Sequence, residues 1–126
     1  MKEYADKSVS FHQKTISSNS VAIIFSGKST IKGTDVFFQW IEEEIENVGA
    51  GKLNVLMDIE QLHSVPIAVQ LKMANWLLQI KSQLAKVAVV GGKRTAKMLA
   101  KGAKMTNIKF FDVRRKAEEW LGSHSS

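Results

Sequence analysis

The chain reads as an α/β protein, a mixed sheet with helices packed against it. Three observations predict this class. Short β-branched runs alternate with helical patterns in the order β-β-α-β-α-β-α-β-α. Such alternation implies strands that are largely parallel, joined by crossover helices. Near-continuous apolar runs such as Val87-Ala88-Val89-Val90 suit strands buried on both faces. At 126 residues the chain is the size of a single domain.

The elements follow in order. Met1–Lys7 is polar and reads as loose. Ser8–Ile16 alternates as an edge strand would, and Ser17-Ser18-Asn19-Ser20 is a turn that returns the chain into Val21–Phe25 as a hairpin. Gly27–Gly33 reads as a loop. Thr34 or Asp35 is placed to cap a helix over Val36–Val48 that buries Phe37, Trp40, Ile41, Ile45 and Val48. Gly49-Ala50-Gly51 ends that helix. Asn54–Ile59 is a short apolar strand, and Glu60–Val65 a loop. Pro66 suits the first turn of a helix over Pro66–Ser82. Lys86–Val90 is the next strand, followed by a helix over Lys93–Lys101 that Gly102 would stop. Ile108–Val113 is the last strand and Arg114–Leu121 a terminal helix. Residues 122–126 read as flexible, like residues 1–7.

The Pro66–Ser82 helix is the most informative segment. At 100° per residue, Ile67, Leu71, Ala74 and Leu78 form one apolar stripe. Val69, Met73, Trp76, Leu77 and Ile80 form another on roughly the opposite side. A surface helix needs only one. The expectation is that the Leu71 side packs on the sheet. The Val69, Met73, Trp76, Leu77 and Ile80 side would then meet a hydrophobic ligand, a lipid surface or a second copy. The competing reading buries both sides within the fold, mainly against the helix carrying Phe37 and Trp40.

Charge is unevenly spread. The net charge is +6; residues 1–63 hold nine of the twelve acidic groups, whereas residues 93–116 hold nine of the eighteen basic groups. Lys93, Lys97, Lys101 and Lys104 fall within about 80° of one another on a helix, with Arg94 beside them. This stripe is the candidate for an anionic headgroup or phosphate, or is simply a solvated face. No aromatic residues interleave with it and no DNA-binding motif is visible, which argues against specific nucleic-acid binding.

Several function classes find little footing. With no cysteine, disulfides and thiolate metal sites are excluded, and three scattered histidines offer no metal centre. Gly27-Lys28-Ser29-Thr30 and Gly91-Gly92-Lys93-Arg94-Thr95 resemble the end of a phosphate-binding loop, but Ala22 and Val87 stand where its first glycine belongs. Asp58, Glu60, His63 and Ser64 cluster at the carboxyl end of a strand, where open α/β sheets bind ligands. Without a nucleophile elbow they point to no reaction. The expectation is a non-enzymatic protein without a cofactor. No signal peptide opens the chain and no apolar run reaches the ~20 residues that span a bilayer, so the expected location is cytoplasmic, with room for peripheral attachment at the inner membrane face.

Val55-Leu56-Met57-Asp58-Ile59, Lys86-Val87-Ala88-Val89-Val90-Gly91, Phe110-Phe111-Asp112 and Ala117-Glu118-Glu119-Trp120-Leu121 together resemble the SpoIIAA-like family of small STAS/SEC14-type bacterial domains. The resemblance runs from about Phe11 to Leu121. It implies a single βα domain that binds lipids, hydrophobic ligands or partner proteins rather than catalysing a reaction. SEC14-type relatives hold a lipid beneath a movable helix. Anti-sigma-factor antagonists of the STAS class switch partners when a serine at the start of the helix after the Asp-containing strand is phosphorylated. In this chain that position falls near Pro66-Ile67-Ala68, where no hydroxyl stands; Ser64 is the nearest. The leading expectation is therefore binding of a hydrophobic small molecule or anionic lipid surface. The alternative is a protein-protein regulatory module lacking the usual phosphorylatable serine, and a homodimer through the second helix face is a further case.

Overall fold

A computed structural model describes residues 2–49 and 51–122. Its strands are β1 (Lys2–Ala5), β2 (Val9–Ser17), β3 (Ser20–Lys28), β4 (Leu53–Ser64), β5 (Leu84–Val90) and β6 (Ile108–Phe111). Its helices are α1 (Ile31–Val48), α2 (Ile67–Ile80), α3 (Lys93–Ala103) and α4 (Arg114–Gly122). One six-stranded sheet runs in the order β1-β2-β3-β4-β5-β6. β1, β2 and β3 pair antiparallel, and β3 through β6 pair parallel. The mixed α/β class and its antiparallel start are thus as the alternating pattern predicts.

The strand order decides where the helices lie. Each of the three crossovers steps to the next strand in the same direction. Right-handed connection then places α1, α2 and α3 side by side on one face. Among the described residues no strand follows α4, so that rule does not constrain it. It lies on the opposite face, where Ala117 and Leu121 pack with Ala22, Leu56, Ala88 and Val90. The main core lies between the sheet and the three-helix layer. There Phe11, Ile23, Phe25, Val55, Met57, Val87 and Val89 meet Phe37, Ile41, Trp76, Leu77 and Leu99.

Several segments differ from the sequence reading: α3 runs through Gly102 to Ala103, β6 ends at Phe111 rather than Val113, and three further differences have clear causes. Lys2–Ala5, read as loose, forms the edge strand β1, so β2 is internal. Tyr4 stacks on Phe11 with ring centroids 4.9 Å apart, which gives this polar segment an apolar anchor. α1 begins at Ile31 rather than Val36. The cap is Thr30, whose Oγ1 accepts the Gly33 N–H at 3.0 Å, and not Thr34 or Asp35. Glu60–Val65, read as a loop, largely continues β4 as far as Ser64, because β3 also runs on to Lys28 and supplies pairing partners there. At the other end Gly122 closes α4, and the rest of the tail lies outside the described residues, as does Ala50. Glycine at 27 answers a close approach: its φ is +97° and a Cβ would stand 2.3 Å from the Ser8 carbonyl oxygen.

Candidate interaction surface

α2 lies between α1 and α3, and its two apolar sides are assigned the reverse of the expectation. Val69, Trp76, Leu77 and Ile80 are buried and Met73 is half-buried, so this side is not a free ligand or membrane face. Ile67, Leu71 and Leu78 are 71%, 58% and 38% exposed. The reason is bulk and shape. Trp76 lies flat on Phe38 with centroids 4.1 Å apart and meets the edge of Phe37 at 5.7 Å. The Ile67 stripe offers no aromatic ring to that cluster, and burying the bulkier side removes more apolar area from water. The competing reading, burial against the Phe37/Trp40 helix, therefore holds for one side only. Ala74, in the middle of the outer stripe, is buried where α3 crosses; a Cβ on Gly102 would lie 2.8 Å from its methyl.

The outer face of α2 carries Ile67, Ala68, Leu71, Asn75, Leu78 and Gln79, all exposed and none charged. Ile31, at the start of neighbouring α1, is a further exposed apolar side chain. The N-terminal turns are tied to each other and to the strand ends. Lys72 Nζ lies 3.0 Å from Asp35 Oδ1, joining α2 to α1. Gln70 Nε2 donates to the Val65 carbonyl at 2.7 Å, and the Ser29 N–H donates to the Ser64 carbonyl at 3.0 Å.

Beneath this layer a cavity of about 20 Å³ is lined by Phe25, Phe37, Met57, Leu62, Met73 and Leu99, with Thr34, Gln70 and Thr95 among the polar groups. That is room for about one water, far below the several hundred Å³ of small-molecule sites. No acyl chain fits under α2 in this conformation.

The loop candidates do not form one cluster. Asp58 is buried in β4 on the α4 side of the sheet, where Oδ1 accepts the Glu60 N–H at 3.2 Å and Oδ2 lies 3.9 Å from Arg114 Nε. His63 and Ser64 are exposed near the end of the same strand, some five residues or about 15 Å further along. Adjacent strand residues also point to opposite faces. Asp58 is thereby set apart from His63 and Ser64 along β4. Register instead lines up Glu3, His12, Ile24, Asp58, Val90 and Phe111 across the back of the sheet. Beside that row, Ser10 and Ser26 share a hydrogen bond at 2.8 Å in an open depression of about 260 Å³. Among the described residues no group of three or more histidines and carboxylates could hold a metal.

The basic candidates Lys93, Arg94, Lys97, Lys101 and Lys104 are all exposed. Lys104 stands outside α3, as its left-handed cap at φ 54°. Lys81 Nζ reaches the Ala103 and Lys104 carbonyls at 3.3 and 3.2 Å, a cation at a helix C-terminus. At the other end of α3, the Glu60 side chain packs over Gly91, putting a carboxylate-bearing chain beside the turn that could otherwise have drawn an anion. Among the described residues no helix is long and apolar enough to cross a membrane.

The chain is thus a mixed-sheet α/β domain with a three-helix layer on one face and one helix on the other. The SpoIIAA-like family profile matches residues 20–122, and the chain belongs to that family. Solved structures share the fold at low identity. An uncharacterized protein of the DUF3478 family from Shewanella loihica PV-4, with a SpoIIAA-like fold, superposes with a TM-score of 0.69 at 17% identity, covering 90% of this chain and 94% of that one. The anti-sigma factor antagonist SpoIIAA in its unphosphorylated form gives 0.64 at 12%, covering 91% and 99%. An anti-sigma factor antagonist from Mycobacterium paratuberculosis gives 0.64 at 11%, covering 94% and 98%. No curated protein sequence matches the chain.

The stripe that the structure exposes was visible in the sequence but assigned to the core. The signal that distinguishes the two sides is the aromatic pairing: Trp76 has Phe37 and Phe38 to meet, whereas Leu71 has no comparable partner.

Proposed function

We propose that this protein is a non-enzymatic regulatory module that binds a protein partner, in the manner of the anti-sigma factor antagonists that share its fold. The observation that carries this reading is the uncharged apolar outer face of α2, where Ile67, Leu71 and Leu78 stand in water on one side of the helix. Contiguous exposed apolar residues mark interaction sites, and an amphipathic helix face with anchors at i, i+4 and i+11 is a common docking element. The partner is an anti-sigma factor or a protein of that kind. The start of α2 is Pro66-Ile67-Ala68, without a hydroxyl, so the interaction is not switched by phosphorylation at that position. A lipid-binding role has less to support it, since the Val69 side of α2 is buried and the cavity beneath it has room for about one water.

The test is binding of the purified chain to the anti-sigma factors encoded by the same genome, measured by calorimetry. The expected result is a complex that Leu71→Glu weakens at least tenfold while circular dichroism stays unchanged. Co-sedimentation with anionic vesicles, lost on adding salt and coupled to no protein partner, would instead favour the lipid reading.

A further inference from the structure

The helix layer is divided by charge. The outer face of α1 carries Glu42 and Glu46, both exposed, together with Asp35, which pairs with Lys72, and the exposed Lys32 in the first turn. The outer face of α3 carries Arg94, Lys97 and Lys101, with Lys93 turned away from α2, opposite Gly102, and among the described residues no carboxylate lies within ion-pair distance of these groups. Between them runs the uncharged apolar face of α2. Acidic, apolar and basic strips therefore lie side by side on one surface.

A strip pattern of this kind is complementary to itself in one orientation. A two-fold axis parallel to α2, lying in the surface, sets α2 on α2 and each α1 over the α3 of the other copy, so acid meets base twice. A two-fold axis perpendicular to the helices sets α1 on α1 and α3 on α3, which opposes like charges. We propose that the chain forms a homodimer through this layer, with the two α2 helices parallel and Leu71 near the axis. Three helices about 9 Å apart and about 20 Å long present on the order of 500 Å² per copy, enough for a weak but specific interface. The dimer uses the same α2 face as the regulatory reading but does not need its partner, so a bound anti-sigma factor would dissociate it.

Sedimentation velocity of the full chain, from low micromolar to several hundred micromolar, tests the proposal. The expected result is a dimer at low salt that loosens as salt is added, and a monomer for Leu71→Glu. Glu42→Lys with Glu46→Lys weakens association about tenfold, the size of one or two partly exposed charge pairs. Adding Lys97→Glu and Lys101→Glu to the same chain restores it. A wild-type monomer throughout, a dimer indifferent to Leu71→Glu, or a doubly reversed chain that fails to regain association overturns the proposal. A monomer that still binds an anti-sigma factor through Leu71 refutes the dimer and leaves the regulatory reading standing. A dimer that binds none does the reverse.

Discussion

The indole of Trp76 stacks on the ring of Phe38, centroids 4.1 Å apart and planes 11° from parallel, and this pair fixes which way α2 faces. Lys72 Nζ stands 6.0 Å from the Phe38 ring centre and 3.0 Å from Asp35, so the contact between α1 and α2 is aromatic inside and ionic at its rim. Orientation of α2 follows from that contact, because turning the helix to bury Leu71 would put the indole in water.

Truncating this anchor is costly. Trp76→Ala is expected to lose about 3–5 kcal/mol, the range for emptying a large aromatic site. Trp76→Phe should lose much less. The indole Nε1 is buried without a hydrogen-bond partner among the described residues, and phenylalanine removes that unsatisfied donor along with some volume. Urea denaturation of the two variants checks the order.

The two sides of α2 should respond oppositely to substitution. Leu71 is 58% exposed, so Leu71→Ala should change stability by no more than about 0.5 kcal/mol. Leu77 is 2% exposed, and Leu77→Ala should cost about 2–5 kcal/mol. Equal effects in thermal melts would mean that the assignment of inner and outer sides is wrong.

Gly91 should tolerate no side chain. Its φ is +86°, and a Cβ would stand 2.4 Å from Glu60 Cγ and 2.8 Å from Glu60 Cα. Gly91→Ala is expected to cost more than about 1 kcal/mol. Adding Glu60→Ala should recover only part of that loss, since the backbone of residue 60 remains in the way. A denaturant series on the single and double variants measures the recovery.

The β1–β2 turn should loosen in acid. Asp6 Oδ1 accepts the Val9 and Ser8 N–H groups at 2.8 Å each, and Oδ2 accepts the Tyr4 hydroxyl at 2.9 Å. The Val9 bond first, then those from Ser8 and Tyr4, holds the carboxyl below the usual carboxylate range. A depressed folded value stabilises the native turn above the unfolded pKa, and that contribution disappears as the pH falls through the folded one. Protection of the β1–β2 amides, relative to their intrinsic exchange rates at each pH, should therefore fall below the ordinary carboxylate range. Asp6→Asn should remove most of the pH dependence. The same hydrogen bond raises the Tyr4 phenol above its ordinary value, so its share persists at neutral pH and fades only as the solution becomes strongly alkaline.

Much of the fold was readable from one-dimensional patterns. Apolar runs such as Val87–Val90 mark buried strands wherever they occur, and the 100° periodicity of Val36–Val48 marks a helix whatever it packs on. β1 escaped because Lys2–Ala5 is polar and becomes a strand only by pairing with β2. The end of β4 escaped because residues 60–64 depend on β3 to continue beside them. Asp58, His63 and Ser64 looked like neighbours only while the segment between them was read as a loop; extended backbone separates them.

From its residues alone, the chain determined a βα alternation, an acidic first half, a basic helix and a helix with two apolar sides. Local propensity and periodicity act over a few residues and are written in the order of the letters. Which apolar side of α2 is hidden, and therefore which one meets a partner, was decided only when Phe37 and Phe38 came within reach of Trp76. That is a contact between segments some 38 residues apart in the chain, and a helical period has no information about what lies across the interface.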